Sequence, residues 1–329
     1  MRGPIRALLT KKTEAGLSTT LTHLDPAELG EGDVTVRVEW STVNYKDALA
    51  LSGRGEIIKR LPLVGGIDLA GTVESSDDAR FAPGDRVLVN GWDLSQTHHG
   101  GYAEKARVPA DWLVPVPDAF STRDAMAIGT AGYSAMLCVL ALEHSGLTPD
   151  DGDVLVTGAN GGVGSIAIAL LSKLGYRVLA STGRVSETEH LRALGAADVI
   201  DRNDLARPGP PLGPERWAGA VDAVGSHTLA NVLAQTRYRG VVAACGLAQG
   251  VDLPTSMAPF ILRGITLAGI DTVRAPRELR LTAWSRLATD LELPKLAAAT
   301  REIKLADVPD TVAHLLRGEV RGRLVVRIP

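Results

Sequence analysis

The chain has 329 residues, 45% of them apolar and 4% aromatic, which is enough for two domains with cores of their own. A formal net charge of −3 gives no electrostatic footprint for nucleic acid and none for an anionic membrane, and no run of about 18 apolar residues stands ready to span a bilayer. The opening MRGPIRALLTKKTEAG lacks the apolar core and cleavage site of a signal peptide, and Cys138 and Cys245 sit in apolar runs as buried reduced thiols, so the expected setting is the cytoplasm.

The first part of the chain is strand-rich. DVTVRVEWS alternates with period two, and IDLAGTVE, GDRVLVNGW and GYAEKARVP are further short strand signals divided by Gly and Pro. At residue 122 the texture changes. STRDAMAIGTAGYSAMLCVLALEH opens on a serine cap and has helical spacing. Strand and helix signals then alternate through DVLVTG, GVGSIAIALLSKLG, RVLAST, SETEHLRALGA, ADVI, GAVDAVG, HTLANVLAQT and GVVAACG. Short apolar strands alternating with helices predict a parallel sheet covered on both faces. ITLAGID is the candidate last strand, RPGPPLGPERW a loop, and the tail is helical before it closes in the strand GRLVVRI. The expected class is α/β. A β-rich domain covers 1–121 and 272–329, and a doubly wound parallel-sheet domain covers 122–271.

The sharpest local signal is VLVTGANGGVGS. A buried strand, Val154 to Thr157, runs into Gly158, Ala159, Asn160, Gly161, Gly162, Val163 and Gly164, and a helix follows at once. In the G-x-G-x-x-G register Ala159 takes the first place, and Gly161 and Gly164 take the others. Gly161 lets backbone approach a pyrophosphate, Gly164 lets the helix pack closely on the strand, and the free N–H groups at the helix start hold the anion. The plainer alternative is a tight strand-to-helix turn. Where the next strand of the unit ends, an acid would serve the ribose 2′-hydroxyl of NAD. This chain has Ser181, Thr182 and Arg184 there. Hydroxyls and a guanidinium suit a 2′-phosphate, because Arg forks onto phosphate oxygens. The expected cofactor is NADPH, with an ordinary solvated arginine as the alternative.

A β-rich domain ahead of a late dinucleotide turn resembles the medium-chain dehydrogenase/reductase superfamily over essentially the whole chain. The implied architecture is a GroES-like catalytic domain joined to a Rossmann domain. STVNYKDALALSGRG, GIDLAGTVE, GTAGYSAMLCVLALE, VTGANGGVGS, WAGAVDAVG, VAACGLA and GRLVVRI resemble its zinc-free quinone-oxidoreductase-like branch, which includes acryloyl-CoA reductase. Zinc members resemble GHE where this chain has Gly66, Ile67 and Asp68, so Ile67 replaces the ligand histidine. Structural zinc in the superfamily takes four cysteines, and this chain has two. His98 and His99, adjacent in QTHHGGY, read as a solvated loop. The expectation is a metal-free enzyme.

Without zinc, a double bond conjugated to a carbonyl can still be reduced. Hydride goes to the β-carbon, charge collects on the carbonyl oxygen, and fixed donors in a dry cleft stabilise it. The resemblance implies NADPH-dependent reduction of acryloyl-CoA to propanoyl-CoA. One rival is a broad NADPH quinone or enone reductase; another is an inactive member with a binding or structural role. Asn44 (an amide donor), Tyr45 (a phenol) and Lys46 (a cation) in NYKD, with Arg323 in RGRLVV, are the candidate catalytic residues. Asn44 and Asp47 could instead cap a helix, Tyr45 could be core, and Arg323 could be a salt-bridged surface residue. Thr130, Ala223, Val224, Gly246 and Leu247 match stretches that line the cofactor in relatives, and Asn44 and Arg323 are counted with them. In GRGEIIKR, Arg54, Lys59 and Arg60 are candidates for CoA phosphates, or else form a solvated basic loop. The chain departs from its relatives in three places. SGRGEII carries no tyrosine, NGWDLSQTHHGG brings Asn90, Asp93 and His99 into a loop beside the cleft, and His190 stands where a tyrosine often assists the 2′-phosphate. ITLAGID as an edge strand implies a homodimer closed through paired edges.

Overall fold

A computed structural model describes residues 3–14 and 16–329. It falls into two compact units: one runs to Thr130 and resumes over Thr272–Ala288 and Ala299–Pro329, and the other comprises Ala131–Asp271 and Thr289–Ala298.

The first unit begins with β1 (Ile5–Thr13) and β2 (Gly16–Leu24), paired antiparallel. Then come β3 (Val34–Thr42), the short helix α1 (Tyr45–Leu51), β4 (Leu63–Val64), β5 (Asp68–Ser76), β6 (Arg86–Asn90), β7 (Lys105–Val108) and β8 (Val114–Pro115). The period-two pattern of β3 sends Val34, Val36 and Val38 into one core with Leu8, Leu69 and Val87. The next helix, α2 (Thr122–His144), starts on Ser121 as expected: the Asp124 N–H donates to the Ser121 hydroxyl, and the Ser121 N–H donates to the Asp124 carboxylate, both at 3.1 Å. Helical geometry breaks at Gly129 (φ 50°, ψ −161°). This helix is long and apolar enough to cross a membrane, yet 83% of its most apolar window is buried in the protein. It is a core helix.

The second unit contains β9 (Val154–Val156), α3 (Gly162–Lys173), β10 (Val178–Thr182), α4 (Thr188–Leu194), β11 (Ala196–Asp201), β12 (Trp217–Asp222), α5 (Ser226–Ala234), β13 (Thr236–Ala244), α6 (Ala258–Arg263) and β14 (Thr266–Gly269). Its six strands pair in parallel in the order β11-β10-β9-β12-β13-β14. Every residue of β9 and β12 is buried, as strands covered on both faces require. The segment ITLAGID supplies β14 at the edge of the sheet.

The chain continues through α7 (Arg277–Asp290), α8 (Leu293–Ala298), β15 (Thr300–Lys304), α9 (Val308–Leu316) and β16 (Arg323–Arg327). β16 lies parallel to β15 and antiparallel to β3, completing a sheet of the first unit in the order β15-β16-β3-β5-β6-β8, with β7 also on β3. The units depart from the boundaries read in the sequence at two places. Residues 122–130 go with the first unit, where Thr130 is bonded to Asp68 of β5. Residues 289–298 go with the second.

Candidate active site

In the first unit, the ends of β3, β5 and β16 meet in a buried polar cluster. Asn44 precedes α1, and both of its amide hydrogens are engaged, by Asp47 Oδ2 at 3.1 Å and by Asp68 Oδ2 at 2.7 Å. Its Oδ1 accepts from Arg323 Nη1 at 3.3 Å. The Asp47 carboxylate also accepts the N–H groups of Asn44 and Ile67, each at 2.9 Å. Asp68 accepts from Asn44, from Asn90 Nδ2 at 2.8 Å, and from both the N–H (2.9 Å) and the hydroxyl (2.5 Å) of Thr130. These bonds fill the acceptor capacity of a carboxylate. Arg323 donates through Nε to Ala127 O and through Nη2 to Thr42 Oγ1, both at 2.8 Å. A β-carbon at Gly129 would lie 2.6 Å from Arg323 Nη2, so the absence of a side chain there is what leaves room for the guanidinium. Asn90 is itself clamped: Trp284 Nε1 donates to its Oδ1 at 3.2 Å, and Arg280 Nη1 to its carbonyl at 2.7 Å.

Burial governs the electrostatics. Removal from water, and then the charge of Asp68, push the Asp47 carboxyl up to about 7, against the pull of hydrogen bonds from Asn44 and Ile67. Burial pulls the Arg323 guanidinium down, while Asp68 and Asp47 hold it up. The Tyr102 phenol, which donates to Thr42 O at 3.0 Å, is pushed well up by burial and then by the two carboxylates. Burial thus favours the protonated form of Asp47 and the neutral form of Tyr102 inside the cluster.

In the second unit, residues gather at the carboxyl ends of the parallel strands, where open α/β sheets bind ligands. The turn after β9 leads through Gly161 into α3, whose first N–H groups have no side-chain cap. Asn160 is buried, and neither its Oδ1 nor its Nδ2 has a partner, a cost normally relieved by a ligand or water. Gly162, Val163 and Gly164 form the first turn of α3. At the end of β12, Asp222 accepts from Thr157 Oγ1 (2.7 Å) and from the N–H groups of Val224 (3.2 Å) and Gly225 (2.8 Å), fixing the loop that carries Ala223 and Val224. Gly246 packs on the backbone of Ala223, whereas Leu247 is exposed. At the end of β10, Ser181 and Thr182 are buried, and Arg184 lies 3.9 Å from Glu187. Arg202 covers Gly183: a β-carbon there would sit 2.5 Å from its Nε.

The structure thus brings Asn44, Arg323 and Thr130 together, and separately the glycine turn with Ser181, Thr182 and Arg184. It changes several expectations. Asn44 has no amide hydrogen left for a substrate oxygen; it positions its neighbours. Tyr45 is 40% exposed rather than core, and Lys46 is half-buried. Arg323 is buried, not a surface residue. His99 does not sit in a solvated loop: it is buried, its Nδ1 accepts from the Val64 N–H at 3.0 Å, and burial, with the charges of Arg60 and His98, lowers it to about 4. Three residues escaped the sequence reading. Asp47 showed only as a cap and Asp68 only as the neighbour of Ile67. Arg202 follows β11, and the pairing of Thr182 with Asp201 is the signal that could have placed it. Among the described residues, no three His, Cys, Asp or Glu side chains are grouped to hold a metal ion.

A strand-built unit with a buried polar cluster, joined to a parallel-sheet unit with a glycine turn and basic strand end, defines a two-domain nicotinamide-dependent oxidoreductase. Residues 30–118 match the alcohol dehydrogenase GroES-like domain, and residues 162–289 match the family described as zinc-binding dehydrogenase. The chain belongs to the medium-chain dehydrogenase/reductase superfamily, in its zinc-free quinone-oxidoreductase-like branch. It is 49% identical to the probable acrylyl-CoA reductase AcuI of Escherichia coli, over 98% of this chain and 100% of that one. It is 50% identical to the acrylyl-CoA reductase AcuI of Ruegeria pomeroyi, over 98% of each. The crystal structure of the yhdH oxidoreductase from Salmonella enterica in complex with NADP shares 50% identity and a TM-score of 0.97, covering 98% of this chain and 100% of that one.

Proposed function

We propose that this chain reduces the carbon–carbon double bond of acryloyl-CoA to give propanoyl-CoA, with NADPH as reductant. The observation that carries the reading is its near-50% identity, from end to end, to two acrylyl-CoA reductases. The residues present fit the cofactor. The unpartnered amide of Asn160 and the uncapped start of α3 suit a pyrophosphate, and Ser181, Thr182, Arg184 and Arg202 suit a 2′-phosphate. NADPH, when bound, supplies the hydride. The chain supplies rigidity and field. Asp68 locks Thr130, Asn44 and Asn90 in one arrangement, and the cation of Arg323 favours negative charge building on the thioester oxygen.

The test is NADPH oxidation with acryloyl-CoA beside free acrylate and benzoquinone, using deuterated NADPH. Turnover of acryloyl-CoA with deuterium at the β-carbon supports the reading. Label at the α-carbon rejects the mechanism, and activity with benzoquinone alone transfers the case to a quinone reductase.

The same proposal includes a homodimer. β14 is an edge strand, and beside it in the chain Met257, Ile261 and Leu262 are 63%, 71% and 64% exposed. An unpaired apolar edge favours burial by a second copy. Sedimentation at micromolar concentration should show a dimer; a monomer counts against it.

A further inference from the structure

The first unit carries a groove that the chemistry at Asp68 does not use. It lies between α1 and α9, has a volume of about 450 Å³, and is lined by Leu51, Pro309, Val312 and Leu316. Ser52 and Arg54 stand on one rim and Arg317 on the other. The helix α1 links this groove to the buried cluster, because it starts at Asn44 and ends at Leu51. Its accessible residues are Tyr45, Lys46 and Leu49, followed by Ser52 and Gly53 just beyond its end. These recur at helical spacing and form one stripe. At 1.5 Å per residue the stripe is about 10 Å long, which an extended pantetheine arm can cover.

The charge at the groove is uneven. Arg317 is held by Glu319, with Nε to Oε1 at 2.6 Å, and by His314. Arg54, Lys59 and Arg60 are all exposed, and among the described residues none of them is placed in an ion pair. Glu56 is the one carboxylate in residues 52–60. A half-apolar slot with an uncommitted guanidinium at its rim matches a nucleoside phosphate: the base enters the slot and the phosphate meets the arginine.

We propose that this groove receives the adenosine 3′-phosphate end of coenzyme A, with Arg54 on its phosphates and the pantetheine arm along the stripe from Ser52 to Tyr45. The inference rests on the reading of the substrate as an acyl-CoA, and it adds a binding site that recognises the carrier and not the reacting bond.

The experiment compares acryloyl-CoA with the truncated thioester acryloyl-N-acetylcysteamine, at saturating NADPH, in the parent chain and in Arg54→Glu and Ala313→Trp. Ala313 is an exposed residue of the groove lining. Arg54→Glu should raise KM for acryloyl-CoA by up to about fivefold, the top of the range of an exposed charge contact, Ala313→Trp should raise it by blocking the groove, and kcat should be unchanged in both. KM for the truncated thioester and for NADPH should not move. Adenosine 3′,5′-bisphosphate should compete with acryloyl-CoA in the parent and lose that competition in both variants. Equal KM shifts for the two thioesters, or none, overturn the proposal. A parent that turns over neither thioester overturns the substrate reading instead. The groove is then judged by calorimetry on the NADPH-saturated protein: binding of adenosine 3′,5′-bisphosphate that both variants abolish supports it, and binding that survives in both overturns it.

Discussion

The polar cluster around Asp68 and the side chain of Asn160 in the glycine turn are both buried, and they treat their polar groups in opposite ways. Asp68 accepts bonds from Asn44, Asn90 and Thr130, and Asn44 has no amide hydrogen to spare. Asn160 has two polar atoms and no partner for either. The first region is complete as it stands, so its geometry is fixed before any ligand arrives. The second is left incomplete, so a ligand gains what the protein alone gives up. On the proposed function, rigidity suits a place that stabilises charge, and unsatisfied donors suit a place that captures an anion.

Four measurements would break or sharpen that contrast. The largest effect is expected at Arg323. Removing a buried cation beside two carboxylates leaves their charge uncompensated, which typically costs about 3 to 5 kcal/mol. Arg323→Ala should lose that much stability in chemical denaturation and lower turnover roughly a hundred- to a thousand-fold. Arg323→Lys keeps the charge without the fork and should fall between. Full activity in the alanine variant would mean that the cluster is only structural.

The next effect lies in pH. The carboxyl of Asp47 sits at about 7 in the folded chain against 3.8 for a free group. Its pKa is raised on folding, so its contribution is fully present below about pH 4 and is lost as pH rises through 7. That amounts to an order of 4 kcal/mol. The stability of Asp47→Asn relative to the parent should therefore climb between pH 4 and 8, and parallel pH curves would refute the buried-acid account.

Smaller is the effect at the ribose end. Arg184→Ala removes a charged partner from the 2′-phosphate, worth roughly 1.5 to 3 kcal/mol, and should weaken NADPH about ten- to a hundred-fold while NADH barely changes. Equal losses for both cofactors would deny Arg184 that role. The smallest and most diagnostic is Asn160→Ala. If the amide is unsatisfied until ligand binds, the ligand-free variant should melt no lower than the parent, while NADPH binding weakens by about 1 kcal/mol, near fivefold. A destabilised variant with unchanged NADPH affinity would show that Asn160 serves the fold.

Much of this molecule was legible in one dimension. Period-two runs gave the strands of the first unit, and alternation of apolar strands with helices gave the parallel sheet of the second. The turn VLVTGANGGVGS was readable because its strand, glycines and helix are consecutive, and STGR because it directly ends the next strand. NADPH came from those residues, and the zinc-free branch from Ile67 and the order of the family segments.

What the sequence could not decide was partnership. Asp68 and Asn44 are far from Arg323 and Thr130 along the chain, and only the meeting of β3, β5 and β16 makes one cluster of them. Asp47 reads as a helix cap locally, and it is one, since its carboxylate accepts the Asn44 N–H; its burial, and then its place beside Asp68, which together push its carboxyl up to about 7, are set by tertiary packing. Arg202 reaches Gly183 because neighbouring parallel strands end side by side. Tyr45 looked as chemical as Asn44 because sequence lists residue types and not burial, and the first turn of α1 leaves it 40% exposed where Asn44 is buried. Local pattern fixes backbone conformation, which depends on near neighbours. Burial, charge coupling and hydrogen-bond saturation depend on residues remote in the chain, so they exist only once the sheets have closed.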